Sequence, residues 1–197
     1  MGSSPIEHAP EGNTPLDEDE AADLVPAHLT NRGQLNAWEQ ANINLAVDWL
    51  RTRRSRTVLD EGFLCELHRR MFNNSWRWAG SFRRTEKNIG VTPHQIPEAL
   101  RNLVADATHW IEHGTYPADE IASRFHHRLV SIHPFPNGNG RHARLMADLL
   151  LASLGADPFT WGSGDLNDDG TARSRYLHAL READKGCIAD LVAFARS

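Results

Sequence analysis

The sequence predicts an all-α fold with one small β-hairpin, and three observations lead to that prediction. Apolar residues recur at helical spacing in seven segments of the chain. Strand-type residues and turn-formers occur together in one short stretch, residues 81–92, which is typical of a hairpin. The chain has 197 residues, of which 40% are hydrophobic, and this suits a single domain with a real core. An isolated hairpin is unstable by itself, so we expect it to pack on the helices or to be completed by a bound peptide.

The predicted helices follow one another in chain order, each with an apolar stripe on one face. They cover residues 34–54, 60–73, 94–113, 118–132, a fifth segment that ends near residue 155, 171–184 and 188–196. Thr57 or Asp60 is predicted to cap the second helix. Pro97 fits only in the first turn of the third helix, because a proline further along would remove a backbone hydrogen bond.

The acidic N-terminus is predicted to lie outside the domain. Residues 1–33 are interpreted as a tail with an extension, and residues 34–197 as the domain. The polar composition of the first part is typical of a mobile tail. Apolar residues of the extension are predicted to pack onto the domain: Leu16, Leu24, Val25 and Leu29.

Composition excludes several classes of protein. The sequence has no apolar run long enough for a transmembrane helix, and its N-terminus lacks the pattern of a secretory signal. Its two cysteines, Cys65 and Cys187, are too few for a disulfide framework. The net charge of −5 argues against general nucleic-acid binding. We therefore expect a cytoplasmic protein with neither a membrane nor a nucleic acid as its direct partner.

The connection between the fourth and fifth helices, residues 133–141, has the composition of an anion-binding loop. Pro134 and Pro136 end the first of these helices and hold the loop extended. Gly138 and Gly140 allow a tight turn and a close approach of a ligand to the backbone amides. The next helix therefore begins with free N–H groups that face the loop, which is the geometry that binds phosphate.

Charged and titratable side chains surround this loop. Arg141 and Arg144 lie one helical turn apart and oppose the helix dipole, which suggests that an anion sits between them. His133, at the other end of the loop, can take a proton near neutral pH. A base, free amides and two arginines within twelve residues predict a phosphoryl or nucleotidyl transfer site. The alternative interpretation is an ordinary turn between two helices.

The loop carries a resemblance to a known family. Residues 133–144 read HPFPNGNGRHAR and resemble the signature of the Fic/Doc family, His-x-Phe-x-(Asp/Glu)-Gly-Asn-Gly-Arg-x-x-Arg. Within the family, the whole chain is similar to the group called mobile mystery protein B. The resemblance implies a Fic-type helical domain whose usual reaction is AMPylation, the transfer of AMP from ATP to a Ser, Thr or Tyr hydroxyl of a target protein.

The resemblance also implies a role for each motif residue. His133 would be the general base, and Phe135 the core anchor of the loop. The nucleotide phosphates would be held by Gly138, Asn139, Gly140, Arg141 and Arg144. The chain departs from the signature at Asn137, where the family has a carboxylate that binds Mg²⁺. A neutral amide oxygen can bind Mg²⁺, but it lacks the negative charge of a carboxylate. The Mg²⁺ affinity and the reaction subtype of the protein therefore stay open.

Further residues receive a role from the resemblance. Residues 82–92 would form the flap that pairs with the backbone of the target protein, with Phe82, Ile89, Gly90 and Val91 as its target-binding residues. Tyr176 and Asp184 are candidates for the adenine side, and Tyr176 has an alternative interpretation as a core residue. Glu39 is a candidate inhibitory glutamate that would pair with Arg144, against the alternative of a surface or structural residue.

Several alternatives stay open at the level of sequence. A Fic-type fold is compatible with kinase-type transfer or with removal of AMP. A non-catalytic module that binds a nucleotide or a partner is favoured by Asn137 and disfavoured by the intact His133 and both arginines. The resemblance further implies a toxin–antitoxin setting, in which a small helix-turn-helix or antitoxin-like protein binds the chain.

Overall fold

The computed structural model describes residues 15–52, 57–164, 166 and 170–197. Within these residues the fold is all-α. The eight helices are α1 (Glu18–Ala22), α2 (Arg32–Thr52), α3 (Glu61–Phe72), α4 (Ile96–Glu112), α5 (Ala118–Ile132), α6 (Asn139–Ser153), α7 (Thr171–Asp184) and α8 (Ala189–Ala195). Two short 3₁₀ turns, Pro93–Gln95 and Trp161–Ser163, precede α4 and α7. The all-α prediction is therefore confirmed.

The predicted helices are found close to their expected bounds. Both ends of α5 and of α7 agree with the prediction, and the other ends differ by a few residues. Asp60 caps α3, because its Oδ1 accepts a hydrogen bond from the N–H of Phe63 at 2.7 Å. The short helix α1 was not predicted. It is stabilised at its start by Glu20, whose Oε2 accepts from the N–H of Asp17 at 2.9 Å.

The predicted hairpin is wrong. Residues 81–92, all of which are described, contain no strand, and the backbone instead bonds to the connection between α5 and α6. The N–H of Arg83 donates to the carbonyl of Pro134 at 2.9 Å, and the N–H of Val91 donates to that of Ile132 at 3.3 Å. Two of the apolar side chains that suggested strands, Phe82 and Val91, pack against the helical core, whereas Ile89 is exposed. Packing of this kind, and not strand pairing, accompanies the conformation of the segment.

The core surrounds the pair α5 and α6. Phe125 and Leu129 from α5, and Met146 from α6, are almost completely buried among residues of α3 and α4. A second, smaller core joins the other side of this pair to α7 and α8, where Leu191 and Phe194 are buried. The two helices are thereby fixed from both sides, and their connecting loop lies in a rigid frame.

The N-terminal extension packs on the domain where it is described. Leu16 and Leu24 are partly buried against the core and Leu29 is buried, whereas Val25 is exposed. The indole N–H of Trp78 donates to the carbonyl of Glu20 at 3.0 Å. The predicted mobile tail, residues 1 to about 15, lies almost wholly outside the described residues. The boundary between the extension and the domain at residue 33 stays a prediction.

None of the helices in the described part of the chain combines the length and the apolar character needed to cross a bilayer.

Candidate active site

A cavity of about 470 Å³ contains most of the residues that the sequence singled out. Its walls are the loop after α5, the first turn of α6, one face of α7 and the start of α2. Among its lining residues are His133, Asn137, Gly138, Asn139, Gly140, Arg141, Arg144, Tyr176 and Asp184. The structure thus brings the base, the loop and both arginines to one enclosed space, which has the size of a small-ligand site.

His133 ends α5 in an unusual backbone conformation. Its φ of 53° and ψ of 61° are left-handed, which is uncommon for a residue other than glycine. Its Nδ1 lies 3.4 Å from the carbonyl of Val130, and because a carbonyl only accepts, this contact places the proton on Nδ1. Burial lowers the pKa of His133 to about 4. The imidazole is therefore neutral at pH 7, with Nε2 able to accept a proton.

The loop keeps its shape through the side chain of Asn139. Its Oδ1 accepts from the N–H of Phe135 at 2.9 Å, and its Nδ2 donates to the carbonyl of Phe135 at 2.8 Å. The predicted phosphate contact can therefore come only from the backbone of Asn139. The first intrahelical bond of α6 runs from the N–H of His142 to the carbonyl of Gly138 at 2.9 Å. The N–H groups of the preceding turn consequently have no partner within the helix, and the residues that carry them line the cavity.

Aromatic packing anchors the loop from behind. Phe135 is completely buried and stacks on the imidazole of His68 at a centroid distance of 3.7 Å. The Nε2 of His68 donates to the carbonyl of Asn137 at 3.0 Å, while its Nδ1 accepts from the N–H of Gly80 at 3.0 Å. Burial keeps the pKa of His68 well below its ordinary value, so the ring is neutral and both bonds persist. A Cβ on Gly138 would lie 2.6 Å from the ring of Phe72, which requires glycine at that position.

Arg141 is already paired. Its Nη1 lies 2.7 Å from the Oε2 of Glu39, and its guanidinium lies over the ring of Phe72, 4.9 Å from the centroid. Glu39 is 4% exposed and also accepts from the indole N–H of Trp76 at 2.6 Å. The interpretation of Glu39 as a surface residue is therefore wrong. Its partner is also the first motif arginine rather than the expected Arg144.

Arg144 has a different environment. Its guanidinium lies over the ring of Tyr176, 5.6 Å from the centroid, and interacts with the hydroxyl of that residue. Tyr176 is buried and its hydroxyl lies 2.9 Å from Nε2 of His126. No carboxylate of the described residues forms an ion pair with Arg144. Arg144 lines the cavity with its charge over an aromatic ring, and the carboxylate of Asp148, one turn further along α6, acts on that charge from a longer distance.

The adenine-side candidates lie together on α7, two turns apart. Tyr176 and Asp184 both line the cavity, and Tyr176 is at the same time part of the second core. The Oδ1 of Asp184 lies 2.8 Å from Nε2 of His127 on α5, and both residues line the cavity. His127 was not predicted as a site residue. It lies on α5, six residues before His133, which is the C-cap of that helix.

The predicted flap residues separate into two pairs. Ile89 and Gly90 line the cavity, and Ile89 is 42% exposed. Phe82 and Val91 are partly buried against the core. Only the first pair is placed to meet a ligand or a target chain.

The described residues do not by themselves supply enough oxygen ligands for Mg²⁺, so a bound nucleotide would have to provide the others. Asn137 Oδ1 accepts from the N–H of Gly138 at 2.6 Å and offers one neutral oxygen. The carboxylate that lines the cavity among the described residues is Asp184, which is paired with His127. No group of three or more metal-binding side chains occurs in the described ranges. Protein sites for Mg²⁺ normally supply one or two carboxylates in addition to substrate phosphates.

Sequence reasoning missed one basic wall of the cavity. Arg32 and Asn36 line it from the first turns of α2, and Arg173 lines it from the first turn of α7. Burial lowers the pKa of Arg32, and the positive charges of Arg141 and Arg173 lower it further. The three arginines line the same cavity. The available signal was the spacing of Arg32, Asn36 and Glu39, which at i, i+4 and i+7 share one helix face.

Sequence comparison finds relatives of this chain among known proteins. Two protein adenylyltransferases share its sequence in part: Fic of Drosophila virilis is 34% identical over 136 residues, and fic-1 of Caenorhabditis briggsae is 35% identical over 99 residues. These alignments cover 66% and 48% of this chain, and the chain spans 26% and 20% of the two relatives.

Solved structures share the fold. The N-terminal Fic domain of a Bartonella quintana protein has a TM-score of 0.70 at 18% identity, covering 86% of this chain and 84% of that one. BepC of Bartonella tribocorum, solved with bound AMPPNP, has a TM-score of 0.68 at 18% identity, covering 91% and 97%. Residues 58–151, which include the loop and most of α3 to α6, match the sequence model of the Fic/DOC family. This match extends over just under half of the chain, so residues 58–151 are similar to the Fic/DOC family.

Proposed function

We propose that this protein is an adenylyltransferase, which transfers AMP from ATP to a Ser, Thr or Tyr hydroxyl of a target protein. The observation that carries the proposal is the placement of His133, the free amides of α6 and Arg144 around one cavity. A proton acceptor, an anion cradle and a cation are the groups that transfer of a phosphate ester needs. The sequence relationship to protein adenylyltransferases supports the same reaction class.

The phosphates of ATP would lie at the start of α6. The backbone N–H groups of Asn139 and Gly140 would bind phosphate oxygens, and Arg144 would neutralise the outer phosphates. Arg141 would contribute less charge, because Glu39 already pairs with it. The nucleoside would extend along α7 towards Tyr176 and Asp184, which line the same cavity.

The proton of the target hydroxyl would pass to His133. Its Nε2 accepts the proton while the hydroxyl oxygen bonds to the α-phosphorus, and the bond between that phosphorus and the β-phosphate bridging oxygen breaks. Pyrophosphate leaves, AMP is joined to the target as a phosphodiester, and the proton remains on the imidazole. Most of the acceleration would come from orientation and from stabilisation of charge by residues already in place.

The target protein would approach along Ile89 and Gly90, whose exposed edge adjoins His133. The apolar side chain of Ile89 and the adjacent backbone of Gly90 suit contact with an extended peptide. We also propose that the chain is of the mobile mystery protein B type and that a small helix-turn-helix or antitoxin-like protein binds it. Co-expression of such a partner with the chain, followed by co-purification, tests it.

Removal of the base is the first test. We expect His133→Ala to lower AMP transfer by about 10²–10⁴-fold, because a general base contributes that range, while ATP affinity changes little. The assay follows the label of α-labelled ATP into protein of a cell lysate, with and without Mg²⁺. His94→Ala is the matched control, since His94 is exposed and lies outside the cavity. Transfer by the His133 variant at the rate of the unaltered protein would exclude this role.

A second candidate is a non-catalytic module that binds a nucleotide or a partner, and Asn137 favours it because it replaces a charged ligand with a neutral one. Parallel incubations distinguish the candidates. Label from the α-position indicates AMP transfer, and label from the γ-position indicates kinase-type transfer. Release of AMP from a modified protein, with water replacing the protein oxygen on phosphorus, indicates hydrolytic removal of AMP. Binding of ATP without any of these indicates a binding module.

A further inference from the structure

One buried arginine connects the segment of residues 82–92 to the loop that carries His133. Arg83 is 2% exposed, and its guanidinium donates to carbonyls from three places in the chain. Its Nε donates to the carbonyl of His133 at 2.6 Å and its Nη1 to that of Thr85 at 2.8 Å, while Nη2 donates to that of Val91. Among the described residues, no carboxylate forms an ion pair with it. A buried guanidinium that contacts carbonyls alone fixes the backbones around it.

A glycine of the same segment packs directly on His133. Gly90 has a φ of +112°, and a Cβ built on it would lie 2.8 Å from the Cβ of His133. The same Cβ would lie 2.5 Å from Nη2 of Arg83 and 3.2 Å from the carbonyl of Ile132. Any larger residue at position 90 would therefore push either the arginine or the histidine out of place.

These contacts explain how His133 keeps its left-handed backbone. A residue other than glycine holds such a conformation only where its surroundings determine it, and strain of this kind is common at functional sites. The carbonyl of His133 is held by Arg83, and its Cβ lies against Gly90. The direction of the imidazole into the cavity is thus determined by a segment some fifty residues earlier in the chain.

We propose that Arg83 and Gly90 are positioning residues for His133, so that the edge offered to a target protein and the proton acceptor form one unit. This inference rests on the proposed function in so far as His133 acts as the base. It assigns this segment a second task besides the contact of Ile89 and Gly90 with a target, namely to aim the imidazole.

The N-terminal extension holds the middle of the same segment. Lys87, whose side chain is 2% exposed, donates from Nζ to Oδ2 of Asp17 at 2.9 Å and pairs with Glu20. The hydroxyl of Thr85 donates to Oε1 of Glu20 at 3.1 Å. The segment is therefore fixed at one side by α1 and at the other by the loop, which makes its position well determined before any target binds.

The same contacts affect the charge of the imidazole. Burial is the main cause of the low pKa of His133, and the positive charges of Arg83 and Lys87 lower it further. The other titratable or charged groups that line the same cavity are Arg32 on α2, His127 on α5, Arg141 and Arg144 on α6, and Arg173, Arg181 and Asp184 on α7. Removing the charge of Arg83 should raise the pKa of His133, so that the acid limb of the rate profile moves to higher pH.

The variants Arg83→Met, Arg83→Lys and Gly90→Ala test the proposal in the full chain. Because a misplaced catalytic group can reduce a rate by about 10²-fold, we expect kcat for AMP transfer to fall by about that factor in Arg83→Met. Arg83→Lys should recover part of the rate, and the KM for ATP should stay unchanged in all three variants. Arg84→Met is the matched control, because Arg84 is the neighbouring residue and is exposed.

A second measurement does not depend on activity. Titration of the His133 ring by nuclear magnetic resonance, assigned with the His133→Ala variant, gives its pKa in each protein. A higher pKa in Arg83→Met than in Arg84→Met supports the proposal even if no AMP transfer is found. An unchanged pKa and ring environment in Arg83→Met and Gly90→Ala would overturn it. So would a fall in kcat matched by equal losses of ATP affinity and thermal stability.

Discussion

Arg141 and Arg144 lie one turn apart on the same helix and line the same cavity, yet only Arg141 forms an ion pair with a carboxylate of the described residues. Arg141 pairs with the buried carboxylate of Glu39 at 2.7 Å. Arg144 lies over the ring of Tyr176 without an ion-paired carboxylate among the described residues. The first arginine is thus compensated by a direct ion pair, whereas the second has the ring and hydroxyl of Tyr176 and the more distant carboxylate of Asp148.

Sequence alone gives both arginines the same task, which is to bind the nucleotide phosphates. Their different surroundings indicate different tasks. The pair of Arg141 and Glu39 joins α6 to α2 and, through Trp76, to the turn after α3. Arg144 is oriented by an aromatic ring and a hydroxyl, and no carboxylate of the described residues forms a direct ion pair with it. We infer that Arg141 contributes more to the stability of the site and Arg144 more to ligand binding.

The largest effect on binding should come from Arg144→Ala. A hydrogen bond to a charged group contributes about 1.5–3 kcal/mol, so we expect ATP affinity to fall by about 10-fold to 100-fold. AMP affinity should fall less, because AMP lacks the outer phosphates. Calorimetric titration of both nucleotides measures this, with Arg101→Ala on the exposed face of α4 as control. Equal losses for ATP and AMP would contradict the placement of the outer phosphates.

The largest effect on stability should come from Arg141→Ala. Removing one partner of a buried ion pair leaves the other charge uncompensated, at a cost of about 3–5 kcal/mol. Urea unfolding should show a larger loss for this variant than for Arg144→Ala. Adding Glu39→Gln to Arg141→Ala should restore part of the loss, since the amide oxygen keeps the bond from Trp76 without the charge. If the double variant is no more stable than Arg141→Ala, the contact does not contribute through charge.

A smaller effect is expected from Glu39→Gln by itself. The carboxylate competes with a phosphate for Arg141, so its neutralisation should raise ATP affinity and AMP transfer several-fold. That result would support the inhibitory role predicted for Glu39, although through Arg141 instead of Arg144. The measurement is the initial rate at an ATP concentration below KM. A rate that falls instead would assign Glu39 to the support of Arg141 only.

The smallest effect concerns the neutral residue of the same loop. Asn137→Asp keeps an oxygen that can accept from the N–H of Gly138 and adds a negative charge beside the phosphate cradle. We expect this variant to need less Mg²⁺ for half-maximal transfer, because hard cations prefer charged oxygen ligands. Initial rates against Mg²⁺ at a constant ATP concentration decide it. The same metal dependence in both proteins would show that residue 137 acts in another way.

Much of this molecule follows from its sequence, because the signals involved are local. Helical periodicity and a cap placed α5 and α7 at their observed bounds, since a helix depends mainly on residues three and four positions apart. The loop of residues 133–141 was recognised by its own composition. Its position between two helices also predicted an anion site at the start of α6, and Gly138, Asn139 and Gly140 line the cavity.

Tertiary structure alone decided the contacts that join distant residues. Glu39 meets Arg141 across 102 positions, and no local pattern could select that arginine instead of Arg144. Residues 82–92 have the composition of strands, but burial of Phe82 and the three bonds of Arg83 prevailed over strand propensity. Propensity is worth about 1 kcal/mol, whereas a buried charge must satisfy its donors wherever the fold offers acceptors.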